Sequence, residues 1–116
     1  MNFKIFIIFV LVCLTGCTKP DYDIIVVGGG ASGIVSAVQS SRMGSKTLLI
    51  EETDWLGGML TSAGVSAMDG NYKMPSGFLS EFRDSLVSRY GSLDSLKTGW
   101  VSNIMFEPSV GNDILK

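Results

Sequence analysis

Three consecutive glycines, Gly28 to Gly30, separate the apolar run Asp23–Val27 from Ala31–Arg42, whose apolar residues recur at helical spacing. Ile and Val dominate the first run, which predicts a strand buried on both faces, as in a parallel sheet. In the second, Ile34, Val38, Ala31 and Ala37 are predicted to face that sheet while Gln39, Ser40 and Arg42 face water. Gly44 suits the stop after a helix, and Thr47–Ile50 is a second apolar run. The order predicts one βαβ unit whose right-handed crossover sets the two strands side by side and parallel.

Within this unit Gly28, Gly30 and Gly33 match G-x-G-x-x-G. Gly28 allows the tight turn off the strand, Gly30 lets a pyrophosphate approach bare backbone, and Gly33 lets the helix pack close to the strand. The amides at the helix start, at Ala31 and Ser32, point where a phosphate would sit, and the helix dipole adds to them. Glycine-rich turns are common, so context decides. Here the glycines follow a strand, open a helix, and have an acid at the end of the next strand. Glu51 lies 23 positions after Gly28, near the spacing of about 20 at which a carboxylate accepts the ribose hydroxyls. A carboxylate there also disfavours a 2′-phosphate, which makes NADP a poor fit. The stretch reads as a dinucleotide cradle.

Composition excludes several alternatives. The 116 residues allow one small domain, and the scattered lysines and arginines, at a net charge of −2, predict no nucleic-acid face. The chain has no histidine, so neither a histidine base nor a histidine metal ligand is available within it. Its two cysteines are Cys13 and Cys17, too few for a cysteine metal cluster, and no metal is expected.

The first residues read "MNFKIFIIFVLVCLTGC". Lys4 is a short positive start, and Ile5–Leu14 are ten apolar residues, against the roughly 20 needed to span a bilayer. That length suits the core of a secretory signal. "LTGC", Leu14–Cys17, resembles the lipobox of bacterial lipoproteins. The resemblance implies that residues 1–16 are a lipoprotein signal peptide and that Cys17 is acylated to become the new N-terminus. Residues 17–22 would then be a lipidated tether. Without Lys4 eight bases face eleven acids, so the anchor to the lipid bilayer must be the acyl chains themselves. Thr18 stands where an aspartate would signal retention at the inner membrane, which favours the outer membrane, on its periplasmic or surface side. "MNFK" contains no twin arginine, which implies export unfolded and capture of any cofactor outside the cytoplasm.

Beyond Glu51 the chain continues "EETDWLGGMLTSAG", with Gly57 and Gly58 soon after the acid. This arrangement resembles FAD-dependent oxidoreductases that begin with a dinucleotide fold. "LGGMLTSAGVSAMDG", "PSGFLSEFRDSLVSRYG" and "FEPSV" are similar to one bacterial branch, some of whose members carry the label xanthan lyase. The resemblance runs from about Tyr22 to Lys116. It implies FAD as cofactor and Gly28, Gly30, Gly33, Glu51, Gly57 and Gly58 as its contacts. An NAD-binding domain remains an alternative, but it would need no Leu-Gly-Gly turn.

Residues Ser76–Tyr90 predict a helix carrying Phe78, Phe82, Leu86 and Tyr90 at four-residue spacing, which fits a core face better than a flavin wall. Ser102–Glu107 predicts a strand, and Pro108 the first turn of a further helix. Trp55 and Trp100 fit either core or site, and Asp69-Gly70-Asn71 reads as a turn whose acid caps rather than catalyses. The fold class expected is α/β, with residues 23–116 forming the incomplete N-terminal part of a Rossmann-like FAD-binding domain. The catalytic residues and the substrate, whether a small molecule or a carbohydrate, would then lie in a longer parent. The piece alone is expected to be inactive, and a non-catalytic lipoprotein that binds no cofactor is the alternative.

Overall fold

The computed structural model describes residues 20–100 and 102–116. The signal segment over 1–16 and the lipidation residue Cys17 lie outside the described residues. Strand β1, Ile24–Val27, leads through the three glycines into helix α1, Ala31–Arg42, and α1 returns to strand β2, Thr47–Ile50. The strands are parallel and in register, from Ile24 opposite Thr47 to Val27 opposite Ile50. The βαβ unit therefore stands as the sequence predicts, and the chain has the α/β architecture of the N-terminal part of a Rossmann-like domain.

Among the described residues, one face of this sheet is covered and the other is not. Ile24 and Val26 are half-buried under α1, where Ile34 and Ala37 are buried and Val38 is half-buried. Ile25 and Val27 point the other way and are 57% and 80% exposed. The expectation of burial on both faces is thus corrected: an all-aliphatic strand shows that both faces want cover, not that both have it. Ala31, expected against the sheet, is exposed at the first turn of α1.

The remainder packs as a second, larger cluster. Helix α2, Gly77–Tyr90, follows Ser76 and ends at Gly91, and helix α3, Pro108–Leu115, starts on its proline. Phe82 and Leu86 from α2 meet Met68, Leu96, Ile104 and Phe106 in the core. The Phe82 and Phe106 rings stand edge to face, 5.4 Å apart at 79°. The α2 aromatics thus form a core face: Phe82 is buried, and the half-buried Phe78 and Tyr90 pack against the same cluster. Trp55 is 37% and Trp100 98% exposed, so neither is a core residue.

Ser102–Glu107 forms no ladder strand. It is extended and makes one antiparallel bridge, Met105 to Ala67, with Met68 N donating to Ile104 O and Phe106 N to Ser66 O. Ser102, Ile104 and Phe106 are buried in alternation, which produced the strand-like pattern. The segment lies against the 66–68 loop, and the only partner of β1 among the described residues is β2. At Asp69–Asn71 the chain bends on Gly70, φ +80°, and the hydrogen-bonded turn comes just after it, with Met74 N donating to Asn71 O at 3.1 Å; Asp69 is exposed. Arg83 of α2 clasps the loop that leads into this helix by donating to the carbonyls of Tyr72 and Met74. An exposed two-pronged pair, Arg42 to Glu81 at 2.8 and 2.6 Å, links α1 to α2. No helix among the described residues is long and apolar enough to cross a membrane.

Candidate dinucleotide site

The site is built where β1 and β2 end. Gly28 leaves β1 at φ +101°, a conformation that a side chain would strain, and its amide donates to Ile50 O at 2.8 Å. A Cβ on Gly33 would stand 1.9 Å from the Gly28 carbonyl oxygen, so the helix can cross the turn this closely only with glycine there. Gly30 is different. Its backbone is ordinary, φ −66° and ψ 175°, and nothing lies within 4 Å of the place a Cβ would take. No protein packing demands glycine at this position, which is what a close-lying ligand would require. No side chain caps the start of α1, and the first amides of a helix have no partner within it. Ala31 and Ser32 are both exposed at that end.

Glu51 sits beside the turn. Its Oε2 accepts from the Gly29 amide at 2.5 Å, and its Oε1 accepts from the Thr53 amide at 3.2 Å and the Thr53 hydroxyl at 3.0 Å. The Gly29 amide foremost, then Thr53, hold the Glu51 carboxyl below the ordinary glutamate range. A carboxylate offers about four acceptor positions, of which these bonds take three; the Thr53 hydroxyl has a single proton and also reaches Trp55 O at 3.1 Å, and turning it there leaves two positions for a pair of hydroxyls. Glu52 is exposed.

The second glycine pair lies on the first loop. Gly57 N donates to Gly29 O at 2.8 Å, and the pair Gly30–Gly57 forms a parallel bridge. Gly57 has φ +109° and is crowded on the side a Cβ would occupy, by Thr61 at 2.7 Å and Leu115 at 2.8 Å. A Cβ on Gly58 would stand 3.1 Å from the Gly30 Cα. Gly28, Gly30, Ala31, Ser32, Gly33, Glu51, Gly57 and Gly58 thus converge on one end of the sheet. A small apolar cavity of about 120 Å3 opens beside it, lined in part by Ala31, Leu60 and Phe78.

Four contributors escape a reading by motif. Gly29 is buried, and a Cβ there would meet Leu56 at 2.8 Å and Glu51 at 3.0 Å. The unbroken glycine triplet was the available signal for it. Thr53, two residues after the acid, fits a side-chain turn onto Glu51. Thr61 is 1% exposed and donates to Leu56 O at 2.5 Å. Asn112 of α3 is 6% exposed and accepts from Leu56 N at 2.8 Å. For the last two no local pattern exists. No group of three or more acids, cysteines or histidines suited to a metal occurs among the described residues.

Several known proteins are similar to this chain in sequence. The tRNA uridine 5-carboxymethylaminomethyl modification enzyme MnmG of Treponema pallidum is 35% identical over 85 residues, 68% of this chain and 14% of that protein. Dihydrolipoyl dehydrogenase of Trypanosoma brucei brucei is 42% identical over 43 residues, 37% of this chain and 9% of that protein. The rat pyridine nucleotide-disulfide oxidoreductase domain-containing protein 2 is also 42% identical over 43 residues, 37% of this chain and 7% of that protein. The chain thus spans 7–14% of the length of these relatives. No solved structure matches it. The family defined as FAD dependent oxidoreductase matches residues 23–116, all of the chain from the start of the βαβ unit onward. With its paired glycine loops and the acid beside them, the chain belongs to the FAD dependent oxidoreductase family.

Proposed function

We propose that the chain is the FAD-binding portion of a lipid-anchored FAD-dependent oxidoreductase that acts by hydride transfer to or from flavin. The observation that carries the cofactor assignment is the unfilled space at Gly30, between the uncapped start of α1 and the Gly57–Gly58 turn. In this reading the Gly30, Ala31 and Ser32 backbone receives the pyrophosphate, and Glu51 accepts the adenosine ribose hydroxyls. Gly57 and Gly58 offer a second side-chain-free wall. FAD, once bound, supplies the two-electron acceptor or donor, and these residues place it. The substrate and the residues that act on it belong to polypeptide beyond this segment, in keeping with the length of the relatives.

Anchoring rests on the ordered signal, apolar run and lipobox of residues 1–17, with Cys17 as the acylated residue and the cell envelope as location. A cofactor-free lipoprotein is the second reading, and the bare sheet face at Ile25 and Val27 favours it for this piece in isolation. The test is a visible flavin spectrum of the full-length polypeptide that the gene encodes. Stoichiometric, non-covalent FAD is expected. A colourless protein that takes up no FAD on titration overturns the proposal.

A further inference from the structure

We infer that Asn112 is a positioning residue for the cofactor cradle, acting from α3 on the Leu56–Gly58 turn; this rests on the FAD reading above. Two side chains hold the main chain of Leu56. Asn112 Oδ1 accepts from its amide, and the Thr61 hydroxyl donates to its carbonyl. The orientation of the Asn112 amide follows from its partner, because an N–H can be received only by the oxygen. The peptide that joins Leu56 to Gly57 is therefore pinned at its oxygen, while its N–H donates to Gly29 O at 2.8 Å. Gly29 in turn donates to Glu51. One chain of hydrogen bonds thus runs from α3 through the second glycine turn to the first, and on to the acid.

The approach of α3 is itself built for this contact. A Cβ on Gly111 would stand 2.6 Å from the Phe106 ring and 3.2 Å from Thr61, so α3 reaches this depth only with glycine there. Asn112 follows it directly, and Leu115, one turn on, closes against Gly57. Without the Asn112 oxygen the Leu56 amide has no acceptor, and the turn can relax away from Gly30. Because Gly58 borders the open space at Gly30, that relaxation widens the cradle where the pyrophosphate would lie.

The experiment compares Asn112→Leu with Asn112→Asp in the full-length polypeptide that the gene encodes. Leucine keeps a similar volume without an acceptor, and aspartate keeps an oxygen at the same reach. Amide hydrogen exchange of the cofactor-free protein is read at Leu56 and Gly57, with Leu86 and Leu96 as core reporters. Asn112→Leu should speed exchange at Leu56 and Gly57 about tenfold and leave the core amides unchanged, because local opening differs from global unfolding. FAD titration should show Kd raised about tenfold in the same variant, the effect of leaving a buried donor unpaired. Asn112→Asp should restore both. Unchanged exchange at Leu56 and Gly57, equal acceleration in the core, or failure of the aspartate to restore overturns the inference. Faster local exchange with unchanged FAD affinity overturns the role in the cradle alone. A native protein that takes up no FAD overturns the cofactor reading, and the role with it.

Discussion

The carboxylate of Glu51 and the amide of Gly29 are 2.5 Å apart, so the acid that ends β2 is tied to the turn that ends β1. The acid therefore stands at the glycine loop before any ligand arrives. Glu51→Ala should weaken FAD binding by about tenfold or more, since bonds to an ionised acceptor are the stronger kind. Glu52→Ala should change it little. Titration of both variants with FAD checks this, and equal effects would contradict it.

Because hydrogen bonds lower the Glu51 carboxyl below the ordinary glutamate range, the tie to Gly29 is fully present above that range. It is lost as pH falls through the lowered folded value. The Gly29 amide proton, followed by NMR, should titrate with a midpoint below the ~4.3 of a free glutamate. Glu51→Gln should abolish that titration. A midpoint at or above the free value would mean that the tie does not form in solution.

Gly30 and Gly33 separate ligand space from packing space. Gly33→Ala forces a methyl onto the Gly28 carbonyl and should cost about 1–3 kcal/mol of stability, the usual range for overpacking. Gly30→Ala meets no protein atom and should leave the thermal midpoint unchanged while abolishing FAD uptake. Thermal unfolding and flavin titration of the two variants should thus give opposite pictures.

The βαβ unit and the glycine spacing were legible because they are local. A strand, a turn and an amphipathic helix each leave their period or residue type within a few positions. Ser102–Glu107 departs from the expected strand for a physical reason: its alternating burial is real, but alternation reports which side chains face in, not whether a ladder partner exists. In the same way the all-aliphatic β1 did not reveal that one face lies bare. Asn112 and Leu56, 56 positions apart, are joined by one hydrogen bond that leaves no trace in spacing.

Envelope anchoring makes its own prediction. Cys17→Ser should remove the lipid-dependent mass increment and block signal cleavage, and Cys13→Ser should change neither. Mass spectrometry of the two variants decides. Loss of the lipid from the Cys13 variant alone would move the acylated residue.

Residues 17–116 expressed alone should hold FAD poorly, because β1 has one partner among the described residues and Val27 is 80% exposed. An uncovered aliphatic strand is an association template, so self-association is expected by light scattering. Val27→Lys should reduce it. A monomeric, cooperatively unfolding piece that binds FAD at micromolar concentration would contradict this.

The most direct measurement is the identity of the cofactor carried by the full-length polypeptide purified from its native host. Denaturation should release FAD in stoichiometric amount, and Gly30→Ala protein should release none. Release of NAD instead, or a colourless native protein that no added FAD can load, would contradict the assignment of the paired glycine loops to FAD.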